Sequence, residues 1–320
     1  MKATIKRSNN YTTTLDQAFK EFVTEKEARN LSRATIENYV QSYNVLALFN
    51  RFTSRTTVDE INISHVYHMI NSLKESGVKP SSVNHYLRDV RAFLYWCMDE
   101  DRTYIKRFKI SLVEAQEEQV KHFTDDELER LLEKPNKNDS FLTWRTWVMV
   151  NWVLATGNRA GTICDIRIGD IDFLSKEISL RHTKNKRTQI IPLSPSLEIT
   201  LKEYIKMWRY EAPGDAWLFP NVCEDQLTTN AQRHSFVKYC KDRGVSRTNI
   251  HGLRHNFAKG WVRNNGNMFV LQKILGHSTL EMTKKYVRLF SEDIKEDFEK
   301  FSPLDTIKKS SKRTQMIKRK

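Results

Sequence analysis

Along the first hundred residues the apolar positions recur at helical spacing. Leu15, Phe19, Phe22 and Val23 fall at i, i+4, i+7 and i+8 and share one helix face. Ser32 stands where it can cap a second helix, with Ile36, Tyr39, Val40 and Tyr43 on its apolar side. Thr57 and Glu60 have the spacing of a capping box, and Ser64 predicts the start of a helix through Val66, Ile70 and Leu73 that stops at Gly77. Lys79-Pro80-Ser81-Ser82 opens another, whose face is Val83, Leu87, Val90, Leu94 and Cys97. This pattern predicts an N-terminal helical bundle over residues 12–100, preceded by a flexible polar stretch at 1–11.

Between residues 101 and 121 the period fades and charges dominate, which predicts an interdomain linker. Thr124-Asp125-Asp126-Glu127 is a second capping box, with Leu128, Leu131 and Leu132 inside the helix it opens. The apolar run from Phe141 to Ala155 predicts a central buried helix ended by Gly157. It holds Arg145 and Asn151 and is too short to span a bilayer. Glu177-Ile178-Ser179-Leu180 and Ile190-Ile191-Pro192 flank a basic turn, Thr183 to Arg187, and predict a β-hairpin closed by Pro192. Helical patterns resume over 197–208, 232–243, 253–264, 268–275, 279–289 and 293–301. Residues 122–303 therefore read as an α+β domain with a small β-hairpin or sheet, in a chain that is mainly α. Residues 304–320 read as a basic disordered tail: the last thirteen residues carry seven basic side chains and no acid.

Composition then suggests a partner. Lysine plus arginine exceeds aspartate plus glutamate by 53 to 39, a net +14 over 320 residues. In a folded protein that excess implies a polyanion, most often nucleic acid, although charge alone also suits a merely basic soluble protein. Cys97, Cys164, Cys223 and Cys240 are widely spaced, contain no C-x-x-C pair and follow no apolar signal segment. They read as reduced thiols of a cytoplasmic protein, with no membrane span expected.

Candidate chemistry is concentrated in the second half. His251 and Arg254, at i and i+3, share a face near a helix N-terminus, where both can meet one phosphate. The arginine fork fits two phosphate oxygens, and the histidine can hold or pass a proton near neutrality. A lone H-x-x-R is usually just a helix start. Taking His251 and His255 as a zinc pair fails on Gly252, which stands where the metalloprotease motif needs glutamate, and no third ligand is evident. His255 is expected in packing. Arg159, just past the Gly157 break, offers a second phosphate fork. His277 at a helix junction and Tyr286 in a polar run would each be structural if met in isolation.

Taken together the segments are Ala155-Thr156-Gly157-Asn158-Arg159, Asp165-Ile166-Arg167, Gly169-Asp170-Ile171-Asp172, Thr183-Lys184-Asn185-Lys186-Arg187, His251-Gly252-Leu253-Arg254-His255, Leu275-Gly276-His277-Ser278 and Tyr286. Their order and spacing resemble the tyrosine recombinase (phage integrase) family, in its compact Xer-like or transposon type. The resemblance covers nearly the whole chain and leaves no room before residue 12 for an arm-binding domain. It implies a SAM-like core-binding domain followed by a catalytic domain that cuts and rejoins DNA. In that reading Tyr286 is the nucleophile, and Arg159, Arg254 and His277 hold the scissile phosphate. His251 serves proton transfer, and a hairpin lysine, Lys184 with Lys186 as alternative, protonates the leaving 5′ oxygen. Lys186, Arg187 and Arg167 are candidate DNA contacts. Three residues after Arg159 the family commonly has an acid, where this chain has Thr162.

The resemblance further implies duplex recombination sites as substrate, a homotetramer on two duplexes, no metal or other cofactor, and nucleoid association in a prokaryote, phage or transposon. An accessory DNA-bending protein or a partner recombinase would fit the same scheme. Two rivals remain: a type IB topoisomerase sharing the chemistry, and a catalytically inactive DNA-binding regulator. Beyond Tyr286, Ile294, Phe298 and Phe301 form an apolar stripe on an acidic helix, expected either to contact a neighbouring protomer or to fold back on its own domain.

Overall fold

Thr14 N–H donates to Gln17 Oε1 (3.1 Å) while Gln17 N–H donates to Thr14 Oγ1 (3.2 Å), so the first helix, α1 (Leu15–Ala28), begins in a closed capping box. Ser32 caps α2 (Arg33–Asn50) by accepting from Thr35 N–H. Asn62 caps α3 (Ile63–Glu75), and Pro80 at the first position opens α4 (Pro80–Cys97). The computed structural model describes residues 13–116, 122–181, 188–277, 279–281 and 283. Its contacts divide the chain into two units, residues 1–118 and 119–320.

The core of the first unit is built from one face of each of these helices. Phe22, Leu46, Val66, Met69, Val83, Leu87 and Leu94 are fully buried. Phe19 stacks on Tyr43 at 4.0 Å between ring centroids and meets Phe93 edge-on at 5.2 Å. Three local expectations shift. Thr57 Oγ1 does bond Glu60 Oε1 (2.9 Å), but Val58–Glu60 form only a 3-10 turn, and the helix beyond starts at Ile63, capped by Asn62, rather than at Ser64. Val40 is exposed, because α2 turns Ser42, Tyr43 and Leu46 inward and Ser42 Oγ donates to Asp89 on α4 at 2.9 Å. And the aperiodic stretch after α4 is packed: Ile105 and Ile110 are buried in this core, and Asn84 exchanges two hydrogen bonds with the Val113 backbone, at 2.7 and 2.8 Å. An extended strap carries isolated apolar residues without a helical period, so periodicity could not show it.

The second unit is organised around α6 (Phe141–Thr156), which is buried nearly all round through Trp144, Val148, Met149, Val150, Trp152 and Val153. Against it pack α5 (Asp125–Leu132), α8 (Pro195–Trp208), α9 (Thr229–Asp242) and α10 (His251–Arg263). On α5 Leu131 is buried, whereas Leu132 points outward. Arg145, buried within α6, donates to the Pro220 carbonyl and to Ser235 Oγ, which accounts for a charge in so apolar a run. Between α7 (Ala160–Cys164) and α8 runs an antiparallel sheet of β1 (Ile171–Asp172), β2 (Glu177–Leu180) and β3 (Gln189–Pro192), in that order among the described residues. The hairpin pairs Ile178 with Ile191, both inward; β1, two residues long, carries too little pattern to be read from sequence. Beyond α10 the chain forms α11 (Met268–Leu275). The fold is mainly α with a small sheet, as the periodicity implies.

Candidate active site

The site begins where α6 ends. Gly157 takes φ +65°, the left-handed conformation that closes a helix. A Cβ there would stand 2.4 Å from Phe257 and 2.8 Å from Leu275, so only glycine lets this turn lie against α10 and α11. Two residues on, Arg159 is the N-cap residue of α7.

Arg254, on the first turn of α10, is almost wholly buried. Its Nη1 donates to the Gly157 carbonyl at 2.7 Å; its Nη2 donates to the Leu275 carbonyl at 2.8 Å and to His277 Nε2 at 2.9 Å. One guanidinium therefore joins the end of α6, the end of α11 and the histidine just beyond it. Gly276, at φ +60°, closes α11, and the His277 N–H returns to the Gln272 carbonyl (3.1 Å). Arg159 Nη2 reaches the Gly276 carbonyl at 3.5 Å. Arg159, Arg254 and His277 thus line one cleft of about 690 Å³, together with Asn158, Thr162 and Gln189. Thr162 occupies the wall where the resemblance leads one to expect an acid.

Because arginine can only donate, His277 Nε2 is the acceptor and its proton sits on Nδ1, which donates to the buried Thr283 Oγ1 at 2.8 Å. Burial, then Arg254, Arg159 and His251, push His277 down to about 4, so the ring is neutral at physiological pH. His251 starts α10 with an exposed outer surface, yet its packed inner side, Arg254 and Arg159 hold it below the usual histidine range. Its ring meets His255 edge-on at 4.8 Å, and His255 faces His122 at 6.2 Å. Burial and these neighbours push His255 down to about 4 as well. His255 is a packing residue between two imidazoles, and among the described residues no cluster of three or more His, Cys, Asp or Glu is arranged to hold a metal.

Of the remaining candidates, Arg167 donates to the Asp215 carbonyl (2.8 Å) and lies 4.5 Å over the Trp217 ring, contacts that account for it within the fold. Lys184, Lys186, Arg187 and Tyr286, with the stripe of Ile294, Phe298 and Phe301, lie outside the described residues. The strand ends that flank the first three, Leu180 and Gln189, line the cleft. Sequence reasoning passed over Gln189 and Thr283: a single amide or hydroxyl has no period, and Gln189 finds its partners 84 and 85 residues away.

The fold that brings Arg159, Arg254 and His277 to one cleft is shared with known proteins. The phage integrase family matches residues 121–293, and the phage integrase N-terminal SAM-like domain matches residues 17–101. The chain belongs to the phage integrase family. Tyrosine recombinase XerC of Listeria monocytogenes is 27% identical over 299 residues, covering 90% of this chain and 97% of its own. The structure of the Tn1549 transposon integrase in complex with transposon right end DNA aligns with a TM-score of 0.71 at 19% identity, covering 91% of this chain and 100% of that one. That of a lambda integrase tetramer bound to a Holliday junction aligns with a TM-score of 0.68 at 17% identity, covering 87% and 78%.

Proposed function

We propose that this protein is a site-specific DNA recombinase that cuts and rejoins duplex DNA through a 3′-phosphotyrosyl intermediate on Tyr286. The observation that carries this reading is the meeting of Arg159, Arg254 and His277 at one cleft, in a chain of this family. A phosphoryl group in transfer accumulates negative charge on its nonbridging oxygens. Two fixed guanidinium groups stabilise that charge without reorganisation.

In the proposed step Tyr286 Oη attacks the scissile phosphorus and the bond to the 5′ oxygen breaks. The phenol proton leaves to a neighbouring base, His251 being the candidate, since its depressed pKa keeps it neutral and able to accept. The 5′ oxygen takes a proton from Lys184, or from Lys186 in the alternative assignment. A phosphate anion beside it favours the charged form of His277, in which both ring nitrogens carry protons. Attack by a partner 5′-hydroxyl reverses the sequence. The bond energy is kept in the phosphotyrosine, so neither metal nor nucleotide is needed.

A homotetramer on two duplexes is the working assembly of this reading, with an accessory DNA-bending protein or a partner recombinase as an additional participant. Its substrate places the protein in the cytoplasm, on the nucleoid. Among the described residues no helix is long and apolar enough to cross a membrane.

The decisive experiment uses a duplex nicked beside the scissile phosphate. Wild-type protein is expected to be trapped as an SDS-resistant adduct, while Tyr286→Phe binds the same DNA and gives none. An adduct with the phenylalanine variant assigns the nucleophile elsewhere. Supercoil relaxation without two-site recombination would favour a topoisomerase, and binding with no adduct from wild type an inactive regulator.

A further inference from the structure

Gln189 is the first residue of β3 and pairs with Leu180 across the hairpin. Its side chain leaves the sheet for α11. The amide Nε2 donates to the Lys273 carbonyl at 2.7 Å and to the Ile274 carbonyl at 3.1 Å. Both belong to the last turn of a helix, whose carbonyls lack the amide four residues on. Two donors of one primary amide thus bind a helix end, and that end leads directly into Leu275, Gly276 and His277.

Position makes this bridge more than a cap. A Cβ built on Gly276 would stand 3.6 Å from Gln189 Oε1 and 3.7 Å from Arg159 Nη1, so the amide and the guanidinium flank the same glycine. The other strand of the hairpin is held at its turn end as well, where Arg181 Nε pairs with Asp170 Oδ1 at 2.5 Å. Strand β3 is therefore tied to the helix end that presents a carbonyl to Arg254 and carries His277. Lys184 lies five positions before Gln189.

We propose that Gln189 is a positioning residue: by fixing β3 to the end of α11 it sets the hairpin against the phosphate-binding side chains, and so governs protonation of the leaving 5′ oxygen. This rests on the reading of Lys184 given above. Loss of the bridge loosens the hairpin, and misplacement of about an ångström costs on the order of 10- to 100-fold in a proton-transfer step.

The test measures cleavage by full-length protein on two nicked substrates that differ in one atom, a 5′-bridging oxygen or a 5′-bridging sulfur. Sulfur leaves without being protonated. Gln189→Ala and Gln189→Glu should each cut the oxygen substrate roughly 10-fold or more slowly than wild type, and the sulfur substrate at nearly the wild-type rate. The glutamate variant keeps the side chain's size but cannot donate to carbonyls, so it separates loss of the bridge from loss of packing. A thermal melt alongside identifies any variant that fails to fold. Wild-type rates on oxygen, or an equal defect on both substrates, overturn the proposal. Lys184→Ala run in parallel keeps the two claims apart: sulfur rescue of Lys184→Ala but not of the Gln189 variants sinks only the bridge. If sulfur fails to rescue Lys184→Ala, the acid is reassigned, and the oxygen-to-sulfur ratio of the Gln189 variants still decides their role.

Discussion

Arg254 donates to His277 Nε2 at 2.9 Å while the same guanidinium holds the Gly157 and Leu275 carbonyls, so the cation and the imidazole form one preassembled unit at the cleft. Anything that moves either residue moves both. Arg254→Lys should therefore fail even though it keeps the charge, because one ammonium cannot span a fork of three partners. Cleavage of a nicked duplex should fall on the order of 10²–10³-fold, as when a fixed transition-state donor is lost. Unpaired buried carbonyls should also lower stability by about 1–3 kcal/mol, read from urea unfolding. A lysine variant that cleaves within a few-fold of wild type would remove Arg254 from the site.

Acidification should weaken the fold before the carboxylates titrate. His277 and His255 are both held down to about 4, and His251 and His122 are also depressed, the last by burial and then Lys259 and Arg247. A histidine whose folded value lies below its unfolded value of roughly 6.5 binds protons preferentially when unfolded. Its contribution is complete above 6.5 and is lost as the pH falls toward about 4. Urea unfolding at pH 7.5, 6 and 5 should show that decline, and His255→Phe should flatten it. A midpoint unchanged across this window would contradict the neutral cluster.

Glycine substitutions should divide sharply by position. Gly157→Ala meets both a left-handed φ of +65° and the Phe257 ring at 2.4 Å. Strain and overpacking together should cost about 2–4 kcal/mol and displace Arg159. Gly260, inside α10, has nothing within 4 Å of its Cβ position, so Gly260→Ala should be neutral or stabilise by up to roughly 1 kcal/mol. Thermal melts of the two variants, run side by side, check the contrast; equal destabilisation would contradict it.

Cleavage should survive excess EDTA and proceed without nucleotide, since arginine, lysine and histidine side chains provide the charge stabilisation and proton transfer. A strict requirement for added magnesium in the adduct assay itself, as opposed to synapsis, would point to a metal mechanism.

Cutting the chain after Leu289 removes the stripe of Ile294, Phe298 and Phe301. If that stripe joins protomers, binding to one half-site should stay nearly intact while cooperative binding to two half-sites and strand exchange drop sharply. Gel-shift titrations on single and paired half-sites measure this. Unchanged cooperativity would mean that the stripe serves its own domain.

What the amino-acid sequence determined by itself is whatever depends on near neighbours. Apolar spacing placed α1 and α4, an unbroken apolar run placed α6, and Ser32 and Thr124 are caps because their partners stand three residues away. The motifs in their order were legible too, since a phosphate site needs particular side chains whatever surrounds them. Which faces turned inward at Val40 and Leu132, and where the strap through Ile105 and Ile110 would lie, depended on packing between elements. So did the architecture of the site. Besides His277, Arg254 finds two acceptors 97 and 21 residues away, and Gln189 finds its own 84 and 85 residues away. These four acceptors are backbone carbonyls. Every residue carries one, so no choice of side chain announces them; only the folded chain decides which carbonyls come within reach.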